Sequence, residues 1–281
     1  MKFADVKNDV AFRKIFGNKK KTHILVSFLN AVLQLEGATC IVAVKIENPY
    51  LLPRIAGEKS SIIDVRATEA SGRQFIVEMQ VAEPVGFEKR VLYYASREYS
   101  MQINRGDSYT KLKPTVFIGI LNFKYFKGSD YLSYHSLLDE KTFENKLKDM
   151  RFAFIELPKF KKSENDLHNM IDKWTYFMKN ATKLAMIPEN VDDEGLKDAY
   201  TDADQHSWTK KELKDYDNSF IAEQDAKGVM ALAITRATEQ ATEQATINTK
   251  IEMAQKLKAM GLTLADIQVV TGLSAEEIEN V

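Results

Sequence analysis

The chain contains little cysteine and little histidine, and this limits the chemistry open to it. One cysteine, Cys40, and four histidines occur among 281 residues. A single cysteine excludes an internal disulfide, and its place in the apolar segment CIVAVKI predicts a buried thiol in a strand. His135, in the irregular stretch YLSYHSLLD, has no cysteine or second histidine nearby. The sequence therefore predicts no zinc site there.

Long apolar runs are also missing. No stretch approaches the roughly 20 apolar residues that a helix needs to cross a bilayer. The N-terminal segment MKFADVKNDV contains no apolar signal region. We therefore expect a cytoplasmic protein that does not associate with a membrane.

Acidic and basic residues nearly balance in number but are unevenly distributed. The chain has 39 Lys and Arg against 40 Asp and Glu, a formal net charge of −1. Residues 1–130 hold 20 of the basic and 13 of the acidic residues, and the remainder holds 19 and 27. A basic surface favours DNA binding, because phosphate contacts supply most sequence-independent affinity. The run Lys19-Lys20-Lys21 could serve this purpose or could be a solvated loop.

Length and composition predict one enlarged domain with an appendage. The chain exceeds the usual single-domain size of about 100–150 residues, and its hydrophobic content of 44% is ample for a core. We expect a first domain over residues 1–225, with a helical extension from about residue 160. Residues 226–281 are predicted to form a helical tail.

Two adjacent segments have the alternating apolar and polar pattern of half-buried strands. They cover residues 61–68 (SIIDVRAT) and 73–81 (RQFIVEMQV). The intervening Ala70-Ser71-Gly72 suits a three-residue hairpin loop with glycine in the left-handed position, which pairs Glu69 with Arg73.

That register places Asp64 directly opposite Glu78. Gln80 lies on the same face as Glu78, because strand side chains repeat every two residues. Directly opposed carboxylates lie close enough to repel, and a shared proton or a divalent cation would relieve the repulsion. The pair could be a metal site, or it could be the solvated polar face of an edge hairpin.

The order of predicted elements indicates an α/β fold. Thr22 is the expected cap of the second helix, and residues 115–123 (TVFIGILNF) suit a central strand covered on both faces. Residues 160–225 are expected to form helices that dock through Trp174, Tyr176 and Phe177. The remaining predicted elements are helices over residues 7–16, 22–35 and 86–104 and strands near 40–47 and 152–157.

Five segments, in this order, resemble the Rpn family of recombination-promoting nucleases and putative transposases, a branch of the PD-(D/E)XK nuclease superfamily. The resemblance covers roughly residues 4–225. The matching segments are KNDVAFRKIFGN (residues 7–18), IDVRATEASGRQFIVEMQV (63–81), YYASREYSMQINRGDSYTKLKPTVFIGILNF (93–123), FIELPKF (154–160) and KWTYFMKNA (173–181).

The resemblance implies a restriction-endonuclease-like core, a mixed central sheet flanked by helices, with metal-dependent endonuclease activity on DNA. It implies that Asp64 and Glu78 bind Mg²⁺, with Mn²⁺ as an alternative, and that Asp9 in the first helix joins them. Asp9 is equally explained as a carboxylate at a helix start. Gln80 occupies the place of the superfamily lysine and would position the attacking water.

A glutamine cannot supply the positive charge of that lysine. Either the motif works with glutamine or a nearby cation substitutes. Arg66, two residues after Asp64, is the first candidate. Contacts to substrate or phosphate are also expected from the helix after the hairpin. Lys59, Arg90 and Arg97 are the further cations, and each of the four cations is more simply explained as a solvated surface charge. On the helix after the hairpin, Gln102 and Tyr94 could contact metal-bound water or phosphate, although its helical spacing favours core packing for Tyr94.

The tail has a different character. ATEQATEQAT (residues 237–246) repeats every four residues, so equivalent positions drift around a helix and form no fixed apolar seam. This predicts an exposed helix that acts as a spacer, arose by repeat slippage or binds a partner. The last 27 residues resemble a helix-turn-helix module with caps at Thr263 and Ser274, but its acidic end favours a homodimer or partner-protein contact over DNA.

The sequence thus favours a Mg²⁺-dependent endodeoxyribonuclease, a hydrolase whose cleaved ends promote recombination in a transposase-like role. Two alternatives remain open. One is a catalytically impaired protein on the nuclease fold that acts in DNA binding or regulation. The other is an assembly protein that acts through its tail.

Overall fold

A mixed six-stranded sheet forms the centre of the fold. The structure is a computed structural model, and it describes residues 1–51 and 61–280. The strands are β1 (Val44–Ile46), β2 (Tyr50–Leu51), β3 (Ser61–Ile62), β4 (Val65–Glu69), β5 (Gln74–Gln80), β6 (Thr115–Leu121), β7 (Leu132–Ser136) and β8 (Met150–Glu156). The sheet order is β1-β4-β5-β6-β8-β7, and β2 and β3 form a separate pair. β6 runs parallel to β5 and to β8, and the other pairs are antiparallel.

Helices flank this sheet and continue beyond it. They are α1 (Asp9–Phe16), α2 (Thr22–Leu33), α3 (Phe87–Ser100), α4 (Met170–Asn180), α5 (Glu194–Ala203), α6 (Lys210–Ala259), α7 (Leu264–Thr271) and α8 (Ala275–Glu279). The expected α/β class is therefore confirmed, with a mixed sheet, a helical extension and a helical tail. Within the described ranges, no helix combines the length and hydropathy of a membrane span.

β6 is the central strand, as its apolar sequence predicts. Every residue of β6 is buried. Val116 and Ile118 face a large core that contains α1, α2, α4 and α5, whereas Phe117 faces a smaller core under α3. Gly119 allows close packing, because a Cβ there would lie 2.8 Å from the Phe154 ring. The sheet is thus covered on both faces.

The helical extension docks through aromatic side chains. Trp174 is fully buried against Phe16 and Phe28, and its indole nitrogen donates a hydrogen bond to Ser27 Oγ at 3.1 Å. Phe177 is also buried, and Tyr176 is half-buried. The large core therefore joins the first two helices to the extension through Trp174 and Phe177, as predicted, whereas Tyr176 is not one of its residues.

The strand predicted over residues 61–68 is divided in the structure. β3 pairs with β2, and β4 pairs with β1 and β5, with the change of partner at Ile63 and Asp64. The alternating pattern continues through this point, so sequence periodicity does not reveal the change of partner. Asp64 consequently lies immediately before β4 rather than within a continuous strand.

Cys40 was expected in a strand and lies outside one. It is half-buried after a short 3₁₀ turn (Gly37–Thr39), and its thiol donates to Leu35 O at 3.3 Å. The backbone of the following residue, Ile41, bonds the Asn30 side chain: Ile41 N donates to Asn30 Oδ1 at 2.8 Å, and Asn30 Nδ2 donates to Ile41 O at 2.9 Å. These bonds replace strand pairing, and β1 begins only at Val44.

Two further local expectations were wrong. Thr22 is the first residue of α2, and Lys21 occupies the cap position without a side-chain hydrogen bond. His135 lies in β7 rather than in an irregular stretch. Main-chain pairing with β8 creates this strand, and the His135 ring packs 4.5 Å from the Phe126 ring centroid.

The chain divides into two compact units, Met1–Ser219 and Phe220–Val281. In the second unit, α6 is almost entirely exposed through residues 220–249, and its threonine hydroxyls donate to carbonyls one turn earlier. The end of the unit has a small core of Ala254, Ile267, Leu273 and Ile278. Thr263 caps α7 and Ser274 forms a capping box with Glu277, as predicted.

Candidate functional site

The hairpin that carries the two acids has the predicted register. Glu69 N donates to Arg73 O at 3.0 Å, and Gly72 N donates to Glu69 O at 2.8 Å. Gly72 adopts the left-handed conformation, with φ +91°, that this loop requires. β4 and β5 pair from Thr68–Gln74 to Val65–Val77. One more step in this register sets Asp64 opposite Glu78.

Main-chain donors hold each carboxylate against the opposite strand. Asp64 N donates to Glu78 Oε1 at 3.0 Å, and Met79 N donates to Asp64 Oδ2 at 2.9 Å. Each acid thus accepts a hydrogen bond from the strand that carries the other acid. The fold positions the two carboxylates as neighbours rather than leaving them as separate solvated side chains.

Glu78 is the buried member of the pair. Only 2% of its surface is exposed. Burial, reinforced by the nearby negative charge of Asp64, raises the pKa of Glu78 to about 8, although Arg90, the Asp64 amide and Arg13 oppose this rise. A further cation between the carboxylates would favour ionised Glu78.

Gln80 contacts Glu78 directly. Its Nε2 donates to Glu78 Oε2 at 2.9 Å, which the two-residue spacing on one strand face allows. Gln80 thus holds the acid in place through a neutral hydrogen bond. The predicted role of Gln80 in positioning water stays a prediction.

Two arginines approach the acid pair from different helices. Arg13 of α1 places Nη2 3.0 Å from Asp64 Oδ1, and Arg90 of α3 places Nη2 3.6 Å from Glu78 Oε2. Their side chains are 44% and 41% exposed. Arg90 was expected here, but Arg13 was missed. Arg13 follows Asp9 by one helical turn, so the helical spacing that placed Asp9 beside the core places Arg13 there too.

Arg66, the first candidate for a substitute cation, is directed elsewhere. Its Nε and Nη2 donate to Glu98 at 2.6 and 2.7 Å, and the Glu98 side chain is fully buried. A buried carboxylate requires such a partner, because an unpaired buried charge is costly. Arg66 therefore pairs with Glu98 of α3 and not with Asp64.

The other predicted phosphate contacts have structural partners. Arg97 is buried, and its Nη1 donates to the Tyr93 hydroxyl at 3.0 Å. The Gln102 side chain bonds the Lys113 backbone next to the start of β6. Its Nε2 donates to Lys113 O at 2.9 Å, and its Oε1 accepts a hydrogen bond from Lys113 N at 2.8 Å. Tyr94 is packed in the core under α3. Lys59 lies outside the described residues.

Asp9 is placed at the start of α1. The Ser219 hydroxyl donates to its Oδ1, and the adjacent Asn8 caps the helix. Among residues 1–51 and 61–280, no cluster of three or more His, Cys, Asp or Glu side chains is arranged to hold a metal ion. The structure therefore does not bring Asp9 together with Asp64 and Glu78 as a third ligand.

The donors that are present suit a hard divalent cation. Magnesium is commonly held by one or two carboxylates, with water and phosphate oxygens completing its octahedron. Asp64 and Glu78 supply two neighbouring carboxylates that main-chain hydrogen bonds hold across the hairpin. Two half-exposed arginines border the pair, so DNA phosphates could approach it. The residues fit Mg²⁺, and Mn²⁺ has the same preference for oxygen ligands.

Comparison with known proteins agrees with this geometry. The family model of the PD-(D/E)XK nuclease family transposase matches residues 6–233, which is most of the chain. No match was found among the curated proteins or the solved structures. PD-(D/E)XK nucleases generally use divalent metal ions, which the two opposed acids of the hairpin would suit. By the extent of the match, the chain belongs to the PD-(D/E)XK nuclease family transposases.

Proposed function

We propose that the protein is a metal-dependent endonuclease that hydrolyses DNA phosphodiester bonds with Mg²⁺, or Mn²⁺ in its place. The observation that carries this proposal is the acid pair. Asp64 and Glu78 are held together by main-chain hydrogen bonds across a hairpin, in a member of a nuclease family. Burial of Glu78 beside Asp64 raises the pKa of Glu78 to about 8, and binding of a divalent cation would offset this cost of ionisation.

Each residue of the site has a separate role that follows from its position. Asp64 and Glu78 hold the ion, which when bound would supply positive charge to activate water and to neutralise the phosphate. Gln80 keeps Glu78 in its rotamer through the 2.9 Å hydrogen bond, and its amide can orient the attacking water. Arg90, half-exposed at the rim, binds a phosphate oxygen, for which a guanidinium is well suited.

The basic first half of the chain supports DNA as substrate. Residues 1–130 carry seven more basic than acidic residues. Such a surplus favours non-specific binding to the phosphate backbone. Cleaved ends would then enter recombination, in keeping with a transposase-related family, and the reaction would take place in the cytoplasm.

A supercoiled-plasmid nicking assay tests the proposal. The wild type is expected to nick in Mg²⁺ or Mn²⁺ but not in EDTA, and Asp64→Ala and Glu78→Gln are expected to reduce the rate by about 1,000-fold, since both would remove a metal ligand. Glu83→Gln, a substitution of an exposed acid just after β5, serves as the matched control and should nick like the wild type. Nicking that survives Asp64→Ala would remove the site assignment.

A catalytically impaired DNA-binding protein is the second candidate. Two observations favour it. The neutral Gln80 at the lysine position supplies no positive charge to the phosphate, and the raised pKa of Glu78 weakens metal binding near neutral pH. A protein that shifts DNA in EDTA and fails to nick it across divalent metals and from pH 7 to pH 9 would support this candidate over the nuclease.

A further inference from the structure

Arg13 contacts the acid pair without being buried as part of the core. Its helix is anchored by Phe12, Ile15 and Phe16, which are fully buried. The guanidinium extends from this fixed base to Asp64 Oδ1, with Nη2 at 3.0 Å. The helix thus positions a cation on the Asp64 side of the pair.

Stability alone gives little reason for this contact. A half-exposed ion pair is worth about 0–1 kcal/mol, because solvent screens it and side-chain entropy opposes it. The Asp64 contact uses Nη2 of Arg13, whereas a guanidinium has five N–H donors. Arg66 differs, because two of its nitrogens bind a fully buried carboxylate.

The charge of the site gives a stronger reason. At the lysine position of the motif, the neutral Gln80 hydrogen-bonds Glu78 and adds no positive charge. Arg90 is drawn toward Tyr94, with its guanidinium 5.1 Å from the ring centroid, and lies 3.6 Å from Glu78. Arg13 is the cation in closer contact with a carboxylate of the pair.

We infer that Arg13 is a phosphate-binding catalytic residue, which exchanges Asp64 for a non-bridging oxygen of the scissile phosphate when DNA binds. This inference rests on the proposed nuclease function. Arg13 forms and breaks no covalent bond. It supplies, from α1, the positive charge that the lysine would supply from β5, and this charge stabilises the phosphate as negative charge builds up on it.

Three variants of one position test the inference. They are Arg13→Gln, Arg13→Ala and Arg13→Lys, and Lys141→Gln is the matched control, since it removes one positive charge from an exposed loop between β7 and β8. Plasmid nicking in Mg²⁺, Mn²⁺ binding by calorimetry without DNA, and DNA affinity in EDTA as a function of salt are measured for each. Circular dichroism melting verifies that each variant is folded.

We expect Arg13→Gln and Arg13→Ala to nick roughly 100-fold more slowly, the loss typical of removing one preorganised donor. Arg13→Lys should recover part of the rate. The affinity for Mn²⁺ should stay equal or rise, because a competing cation has been removed. The slope of DNA affinity against salt concentration should decrease by about the contribution of one phosphate contact. A variant with only a structural defect would lose Mn²⁺ binding as well.

The inference is overturned if Arg13→Gln nicks and binds DNA like the Lys141→Gln control, or if it loses Mn²⁺ binding in parallel with activity. The proposed function fails in a different way. If wild type and Asp64→Ala nick equally or not at all, the nuclease proposal falls and the catalytic role of Arg13 falls with it. The DNA affinity in EDTA then still decides whether Arg13 binds phosphate.

Discussion

Two clusters of acids and arginines form where helices contact the same hairpin, and they differ in how their charges are balanced. Arg66 donates two hydrogen bonds to Glu98, and the Glu98 carboxylate is fully buried. Asp64 and Glu78 are like charges held together, and each has a half-exposed arginine at 3.0 or 3.6 Å. The first cluster is satisfied within the protein. The second has a buried carboxylate beside another acid and arginines that are half-exposed, so it is the functional candidate.

Substitution of the two arginines should separate the clusters by stability. Arg66→Ala should lower the free energy of unfolding by about 3–5 kcal/mol, because it leaves the buried Glu98 charge unpaired. Arg13→Ala should cost at most about 1 kcal/mol, because its pair with Asp64 is solvent-screened. Urea denaturation measures both values.

A second substitution checks the cause of the Arg66 effect. Glu98→Leu combined with Arg66→Ala should recover part of the lost stability, because no buried charge then remains. Equal stability losses for Arg13→Ala and Arg66→Ala would erase the distinction between a structural and a functional pair.

The acid pair should also make stability depend on pH. The folded pKa of Glu78, about 8, lies above its ordinary value of 4.5, so between these values the folded protein retains a proton that the unfolded chain has lost. Stability should therefore fall as pH rises from about 5 to 8, by a few kcal/mol. Glu78→Gln should remove this slope. An unchanged slope in urea melts of that variant would show that Glu78 is not its source.

Divalent metal should stabilise the folded protein through the same pair. At about 100 times its dissociation constant, Mn²⁺ should add roughly 2.7 kcal/mol, since it binds the folded state alone. Thermal melts with and without Mn²⁺ measure this effect. The double variant Asp64→Asn and Glu78→Gln should show no shift, and a shift of the same size would place the Mn²⁺ elsewhere.

The turn of the hairpin should contribute the smallest effect. Gly72→Ala is expected to cost about 1–2 kcal/mol, because φ of +91° is unfavourable for a residue with a Cβ and the added atom lies 2.9 Å from the Lys113 side chain. The rate of nicking should fall in proportion to any loss of the β4–β5 register. Gly128→Ala, at φ +93° with no neighbour within 4 Å of the new atom, is the matched control for backbone strain without the contact.

The sequence predicts the parts of the site that depend on local spacing. The hairpin register follows from a two-residue period and a glycine at the turn, and this is why Asp64 and Glu78 could be paired in advance. The buried strand β6 follows from an uninterrupted apolar run. These features need no knowledge of distant contacts.

The sequence does not predict which arginine each acid contacts. Arg66 pairs with Glu98, which is 32 residues away, and Arg13 pairs with Asp64, which is 51 residues away. Arg66 appeared suited to Asp64 because the two lie close together in sequence, but packing of α3 brings a buried carboxylate to it. Helix packing across the sheet decides these pairs, and strand periodicity contains no information about it.

The tail contrasts with the first unit because its exposed helix has no comparable site. Residues 220–249 of α6 are nearly all exposed, and its side-chain hydrogen bonds from threonine remain within the helix. A role for the tail in a homodimer or in binding a partner protein stays a prediction. Sedimentation of the full chain and of a chain ending at residue 233 tests this role. Equal association states of the two chains would count against a homodimer formed through the tail.

The central claim is that Asp64 and Glu78 together hold a catalytic divalent cation, and the most direct test is a crystal of the nicking-competent protein with Mn²⁺ and DNA. The account predicts an anomalous difference peak within about 2 Å of a carboxylate oxygen of each residue. An active protein whose Mn²⁺ contacts neither carboxylate would contradict it.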